Sequence, residues 1–109
     1  MKFQESVIEI DEENYLSFLK NDVSILNFFS DWQMNCLMAI PVIESLAEEF
    51  SNICFGKVNI EEVEEIARRH NVENVPCLII FRNGHQIDRI DKNISEEILR
   101  ERISSLIAC

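Results

Sequence analysis

Glycine and proline are scarce in this chain, two of each among 109 residues, which argues against linkers, disorder and turn-rich repeats. No apolar run approaches the roughly 18 residues that a membrane-spanning helix needs, so no such span is expected. Positive charge is also in short supply: 10 Lys and Arg stand against 20 Asp and Glu, a formal net charge of −10. A surface of that sign repels phosphate backbones and anionic lipid, so neither nucleic acid nor membrane is expected as a partner. The acids cluster at helical spacings, Glu61, Glu62, Glu64 and Glu65, then Glu96 and Glu97, which reads as solvated helix faces.

The four cysteines, Cys36, Cys54, Cys77 and Cys109, lack the short spacing of a zinc knuckle. The two histidines, His70 and His85, are not close to them in sequence. No metal site and no cofactor are expected. Met1-Lys2-Phe3-Gln4-Glu5 leads into acidic residues rather than a basic segment and an apolar core, so a secretory signal is not expected and a cytoplasmic home is. In a reducing cytosol each cysteine reads first as a small buried hydrophobe, with Cys54 in the core and Cys109 a mobile terminal thiol.

What is present suffices for a core. With 47% hydrophobic residues, the chain reads as one domain over residues 1–109 that buries about two-thirds of its unfolded surface. Val7 to Ile10 is a short strand, and Asp11 can cap a helix over Glu12 to Lys20. Val23 to Phe29 is apolar except for Asn27, as expected of a strand covered on both faces. From Met34 to Phe50, Cys36, Ile40, Ile43, Ala47 and Phe50 form a helical stripe, with Pro41 inside it as a predicted kink. Ile53 to Asn59 reads as a strand, and Asn59 as the cap of a helix with Val63, Ile66, Ala67 and His70 on one face. His70, near the C-terminus of that helix, reads as a dipole-compatible surface residue. Cys77 to Phe81 is a further apolar strand, joined by Asn83-Gly84 to His85 to Ile90. Ser95 caps a last helix whose apolar face is Leu99, Ile103, Leu106 and Ile107. The predicted order is β-α-β-α-β-α-β-β-α, a mixed central sheet of about five strands with helices on both faces.

That order resembles a thioredoxin over essentially the whole chain. Trp32 precedes the turn where the family carries Trp-Cys-Gly-Pro-Cys; here the run is Trp32-Gln33-Met34-Asn35-Cys36. Met38 and Pro41 match the family's long helix, and Gly56 to Ile60 resembles the strand bearing its lysine, here Lys57. Val75-Pro76 matches its cis-proline site, followed by Phe81-Arg82-Asn83-Gly84. The resemblance implies a thioredoxin fold and, at an intact site, dithiol–disulfide exchange. The departures fall where that chemistry resides. Gln33 stands in place of the nucleophilic cysteine, Cys36 in place of the resolving one, and Asn27 in place of a buried Asp. Asp91 stands where the family has a glycine that lets a substrate backbone approach. Two-electron exchange needs one thiolate to attack and a second to resolve, and an amide does neither.

Three functions remain open. The first is binding without reductase activity, in which Trp32, Met34, Val75, Pro76 and Asp91 surround a groove for an extended protein or peptide. The second is single-thiol chemistry at Cys36, favoured by a helix N-terminus, or an unusual Cys36–Cys77 pair, against a buried and inert Cys36. The third is a structural or assembly role, as a dimer. Beside the turn, Asn27 and Lys57 read as a neutralised remnant in which the amide oxygen accepts from the ammonium.

Overall fold

The structure, a computed structural model, describes residues 6–91 and 94–107. Cys109 and the side chain of Ile107 lie outside it. The elements are β1 (Val7–Glu9), α1 (Tyr15–Phe18), β2 (Val23–Phe29), α2 (Met34–Glu49), β3 (Cys54–Asn59), α3 (Glu64–Arg69), β4 (Cys77–Arg82), β5 (His85–Ile90) and α4 (Glu96–Ile107). The order matches the sequence pattern element for element, and the chain has the thioredoxin fold. The sheet runs β1-β3-β2-β4-β5, with β1, β3 and β2 parallel and β4 and β5 antiparallel to their neighbours.

The apolar runs of β2 and β4 are explained by two covered faces. Ile25, Leu78 and Ile80 pack with Ala39, Ile43, Leu46 and Ala47 of α2 and with Leu99 and Ile103 of α4. Leu26, Phe28, Ile79 and Phe81 point the other way, toward Tyr15 and Phe18 of α1 and Ile66 and Ala67 of α3. Alternation along each strand divides one apolar run between two cores.

Local chemistry accounts for the ends. Asn83 and Gly84 have φ of 52° and 84°, the left-handed pair of a tight hairpin turn between β4 and β5. Ser95 Oγ accepts from the Ile98 amide at 3.2 Å, capping α4. α2 runs through Pro41, and its stripe is inward, with Cys36, Ile43 and Ala47 buried and Ile40 and Phe50 half-buried.

Two helix starts differ from expectation. Asp11 Oδ1 accepts from the Glu13 and Asn14 amides, while Asn14 Oδ1 accepts from the Asp11 amide, each at 2.9 Å. This reciprocal cap closes a turn over residues 12–14, so regular helix is confined to Tyr15–Phe18 rather than reaching from Glu12 to Lys20. Asn59 likewise caps a turn, not α3. Its side chain accepts from the Glu61 amide at 2.9 Å, and α3 begins only at Glu64.

His70 also departs from its reading as a surface residue. It is half-buried, its ring within 6 Å of the rings of Tyr15 (5.9 Å), Phe28 (5.9 Å) and Phe81 (5.3 Å). Nε2 lies 2.5 Å from the Tyr15 hydroxyl. Burial lowers its pKa, and the Arg89 and Arg69 guanidinium groups push it down further.

Candidate functional site

The turn from β2 to α2 is held by backbone and short side chains. Ser30 Oγ accepts from the Trp32 amide at 3.2 Å, and Asp31 Oδ2 accepts from Asn59 Nδ2 at 3.3 Å, tying the turn to the end of β3. Gln33 is the N-cap of α2 in an extended conformation. Its carbonyl accepts from the Cys36 and Leu37 amides at 3.1 and 3.2 Å, while its exposed side chain makes no capping bond.

Cys36 points inward from the first turn of α2 and is 1% exposed. Its Sγ accepts from the Ser30 amide at 3.5 Å. Burial pushes the thiol above the ordinary cysteine value; the Ser30 hydrogen bond opposes this and the nearby Asp31 carboxylate adds to it. Desolvation is the largest of these influences, and it disfavours the thiolate that exchange chemistry needs.

Cys77 directly follows the cis Val75–Pro76 bond and is fully buried. It pairs in register with Phe28 and shares the α1–α3 core with it. α2, which carries Cys36, packs on the opposite face. Cys36, Cys54 and Cys77 are all free thiols, and the Cys36–Cys77 pair is not formed. Burial is also the main influence on Cys77, raising it, with Arg89 opposing. Cys54 is half-buried at the margin of the same core, not inside it.

Asn27 and Lys57 are register partners on the parallel β2–β3 ladder. Both line a cavity of about 200 Å³ with Val7, Phe29, Asp31, Ile40, Ile43 and Glu44. The expected hydrogen bond between them is not made: Asn27 Oδ1 is buried without a partner among the described residues. Parallel register places the two backbones side by side; it does not bring the end of a long lysine side chain back onto a short amide.

The groove draws together only part of the expected set. Val75, Pro76 and Asp91 line a surface cleft of about 710 Å³. Trp32 and Met34, at 81% and 67% exposure, stand nearby on the turn and helix start but do not line it. The cleft instead uses Asn35, Met38, Ala39 and Val42 of α2, with Ile94, Ser95 and Glu96 at the start of α4. Met38 carried a signal that was not used: with Met34 and Leu37 it lies off the buried stripe, and all three are exposed apolar residues on an amphipathic helix.

β4 begins at Cys77, and among the described residues no backbone group bonds to the Val75 amide or carbonyl. The described residues contain no group of three His, Cys, Asp or Glu side chains placed to hold a metal ion. No helix among them is long and apolar enough to cross a membrane.

Comparison with known proteins agrees with this geometry. A thioredoxin from Chlamydia caviae is 37% identical over 81 residues, covering 74% of this chain and 79% of its own. One from Chlamydia pneumoniae is 33% identical over 95 residues, covering 87% of this chain and 93% of its own. Among solved structures, a mutant thioredoxin from Halobacterium salinarum NRC-1 superposes with a TM-score of 0.85 at 27% identity, covering 96% of this chain and 95% of its own. The thioredoxin family model matches residues 6–105, and with the sheet order, the cis-proline and the turn before α2 in place, this chain belongs to the thioredoxin family.

Proposed function

We propose that this chain is a binding member of its family, without dithiol–disulfide reductase activity, that takes an extended protein or peptide segment in the cleft beside Pro76. The observation that carries this reading is the pairing of Gln33 with a buried Cys36. The exposed position at the start of α2 bears an amide, and the one thiol in the turn is 1% exposed. Exchange begins with a thiolate attacking a disulfide sulfur, and neither group offers one. The recognition half of the site survives. The Val75 backbone groups, unpaired among the described residues, support strand-like pairing with an extended segment, and Met38, Val42 and Ile94 supply an apolar wall. Flexible thioether side chains such as Met34 and Met38 suit a surface that adapts to its partner.

Within this reading residues 1–109 act as one domain in the cytoplasm. Asn27 and Lys57 are vestiges of proton handling, and the Trp32 indole flanks the bound segment.

The test has two arms. Insulin reduction by dithiothreitol should be no faster with the protein than without it. Peptides selected on the whole protein from a random library should lose binding on Met38→Glu. Catalytic turnover by the wild type would overturn the first claim. Selected peptides indifferent to Met38→Glu would overturn the second, pointing to another surface and an assembly role. Rapid alkylation of Cys36 in the native protein below the pH at which free cysteine reacts would favour single-thiol chemistry instead.

A further inference from the structure

We propose that Asp91 makes the cleft selective for an extended segment of another protein that carries a lysine or arginine beside its apolar residues. This rests on the cleft reading above and adds the chemistry of the partner.

The argument begins with charge. Among the described residues lining the cleft, Asp91 and Glu96 are the only charged ones, and both are acidic. Glu96 is already engaged, 2.8 Å from the Arg100 guanidinium. Asp91 is not. Its ion-pair partner among the described residues is Arg89, whose Nη1 and Nη2 donate to the carbonyls of His70 and Asn71 at 2.6 and 2.8 Å. Arg89 Nε lies 3.7 Å from Asp91 Oδ2, beyond hydrogen-bond length. The Asp91 side chain is 49% exposed and retains acceptor capacity toward the cleft.

Position adds to charge. Asp91 follows the last residue of β5, and Ile90 pairs with Leu78, just beyond Cys77 and Pro76. A segment pairing with the Val75 backbone and laying an apolar side chain on Met38 and Val42 therefore carries neighbouring side chains within reach of Asp91. A lysine or arginine there meets a carboxylate, and a glutamate meets repulsion. The same charge disfavours a second copy of this chain as occupant, since two molecules each of net charge −10 would bring acid against acid.

The test is selection of a random decapeptide library displayed on phage against the whole protein, then titration of selected peptides by Trp32 fluorescence or calorimetry. Three proteins are compared: wild type, Asp91→Asn and Glu12→Gln. Glu12 is exposed beside α1, so Glu12→Gln removes the same charge away from the cleft. The expected result is enrichment of Lys or Arg at one position. Asp91→Asn should lose about two- to fivefold in affinity for those peptides, the range of one partly exposed ion pair. Glu12→Gln should be close to unchanged, being screened by salt. Replacing the basic residue of the peptide by Gln should erase the difference between wild type and Asp91→Asn.

Selected peptides that need Met38 but show no basic preference, or that respond equally to both charge removals, would overturn the role of Asp91 and leave the cleft reading standing. Peptides indifferent to Met38→Glu would overturn both. A concentration-dependent dimer abolished by Met38→Glu would overturn the proposal in favour of a second copy.

Discussion

Asn27 and Lys57 stand side by side in the β2–β3 ladder, yet the Asn27 carbonyl oxygen is buried with no hydrogen bond from the lysine. A buried acceptor left without a partner costs roughly 1–3 kcal/mol, so the fold carries a polar group here that an apolar one could replace. Asn27→Leu, which keeps the branched skeleton in a cavity that Ile43 also lines, should leave stability unchanged or raise it by about 1 kcal/mol. Urea denaturation measures this. A loss above about 2 kcal/mol would mean that the amide is satisfied in solution and supports the core.

Gln33 and Cys36 lead to a test by restoration. Gln33 is exposed at the head of α2, so Gln33→Cys places a thiol where attack can begin, with Cys36 one helical turn away to resolve the mixed disulfide. The variant should reduce insulin disulfides above the dithiothreitol background, and Gln33→Cys with Cys36→Ser should not. Adding Asn27→Asp supplies a group able to move the resolving proton. It should raise the rate further, up to about 10²-fold at the low end of acid–base contributions. An inactive Gln33→Cys that folds normally would show that the surrounding turn, not the missing sulfur, silences the site.

The fold was legible because its determinants are local or periodic. The apolar runs of β2 and β4 marked strands with two covered faces, Asn83-Gly84 marked the hairpin, and Ser95 marked the start of α4. The misses come where several elements converge on one residue. His70 sits at a helix end, and no local pattern says that Phe28 and Phe81, from two strands, converge on its ring. The starts of α1 and α3 were misplaced because a capping side chain fixes a turn, and whether that turn continues as helix depends on packing beyond it. Of the candidate site, the turn and Pro76 could be found by position. The cleft could not be drawn fully, because its walls come from α2, the segment before β4 and the start of α4.

Gly56 is required by close approach, not by backbone conformation. A Cβ built there would lie 2.8 Å from Ile10 Cγ1 and 2.9 Å from Phe18 Cζ, and both residues are buried. β3 lies between β1 and β2, so its backbone has little room to yield. Gly56→Ala should cost about 1–3 kcal/mol, the usual range for overpacking a filled core. Adding Phe18→Leu should recover part of it by withdrawing the ring. A neutral Gly56→Ala would show that Ile10 and Phe18 shift freely.

His70 makes stability depend on pH in a window set by its own titration. Burial and the two arginines hold its folded pKa below the ordinary 6.5. The neutral ring is therefore favoured in the fold, and its full contribution is present above about 6.5, where both states are neutral. As pH falls below that value the unfolded chain takes up a proton that the folded one refuses, and stability is lost until the folded pKa is passed. The slope cannot exceed about 1.4 kcal/mol per pH unit, the limit for one proton, and it is smaller here because the half-buried ring is partly screened by solvent. Protonation of the many carboxylates eases self-repulsion and acts in the opposite direction, so the measurement must be differential. His70→Gln keeps a hydrogen-bonding partner for the Tyr15 hydroxyl and does not titrate. Urea midpoints of the two proteins at about pH 7.5 and pH 5.5 should show the wild type losing more on acidification. Equal losses would mean that His70 is solvated enough to accept its proton in the folded state.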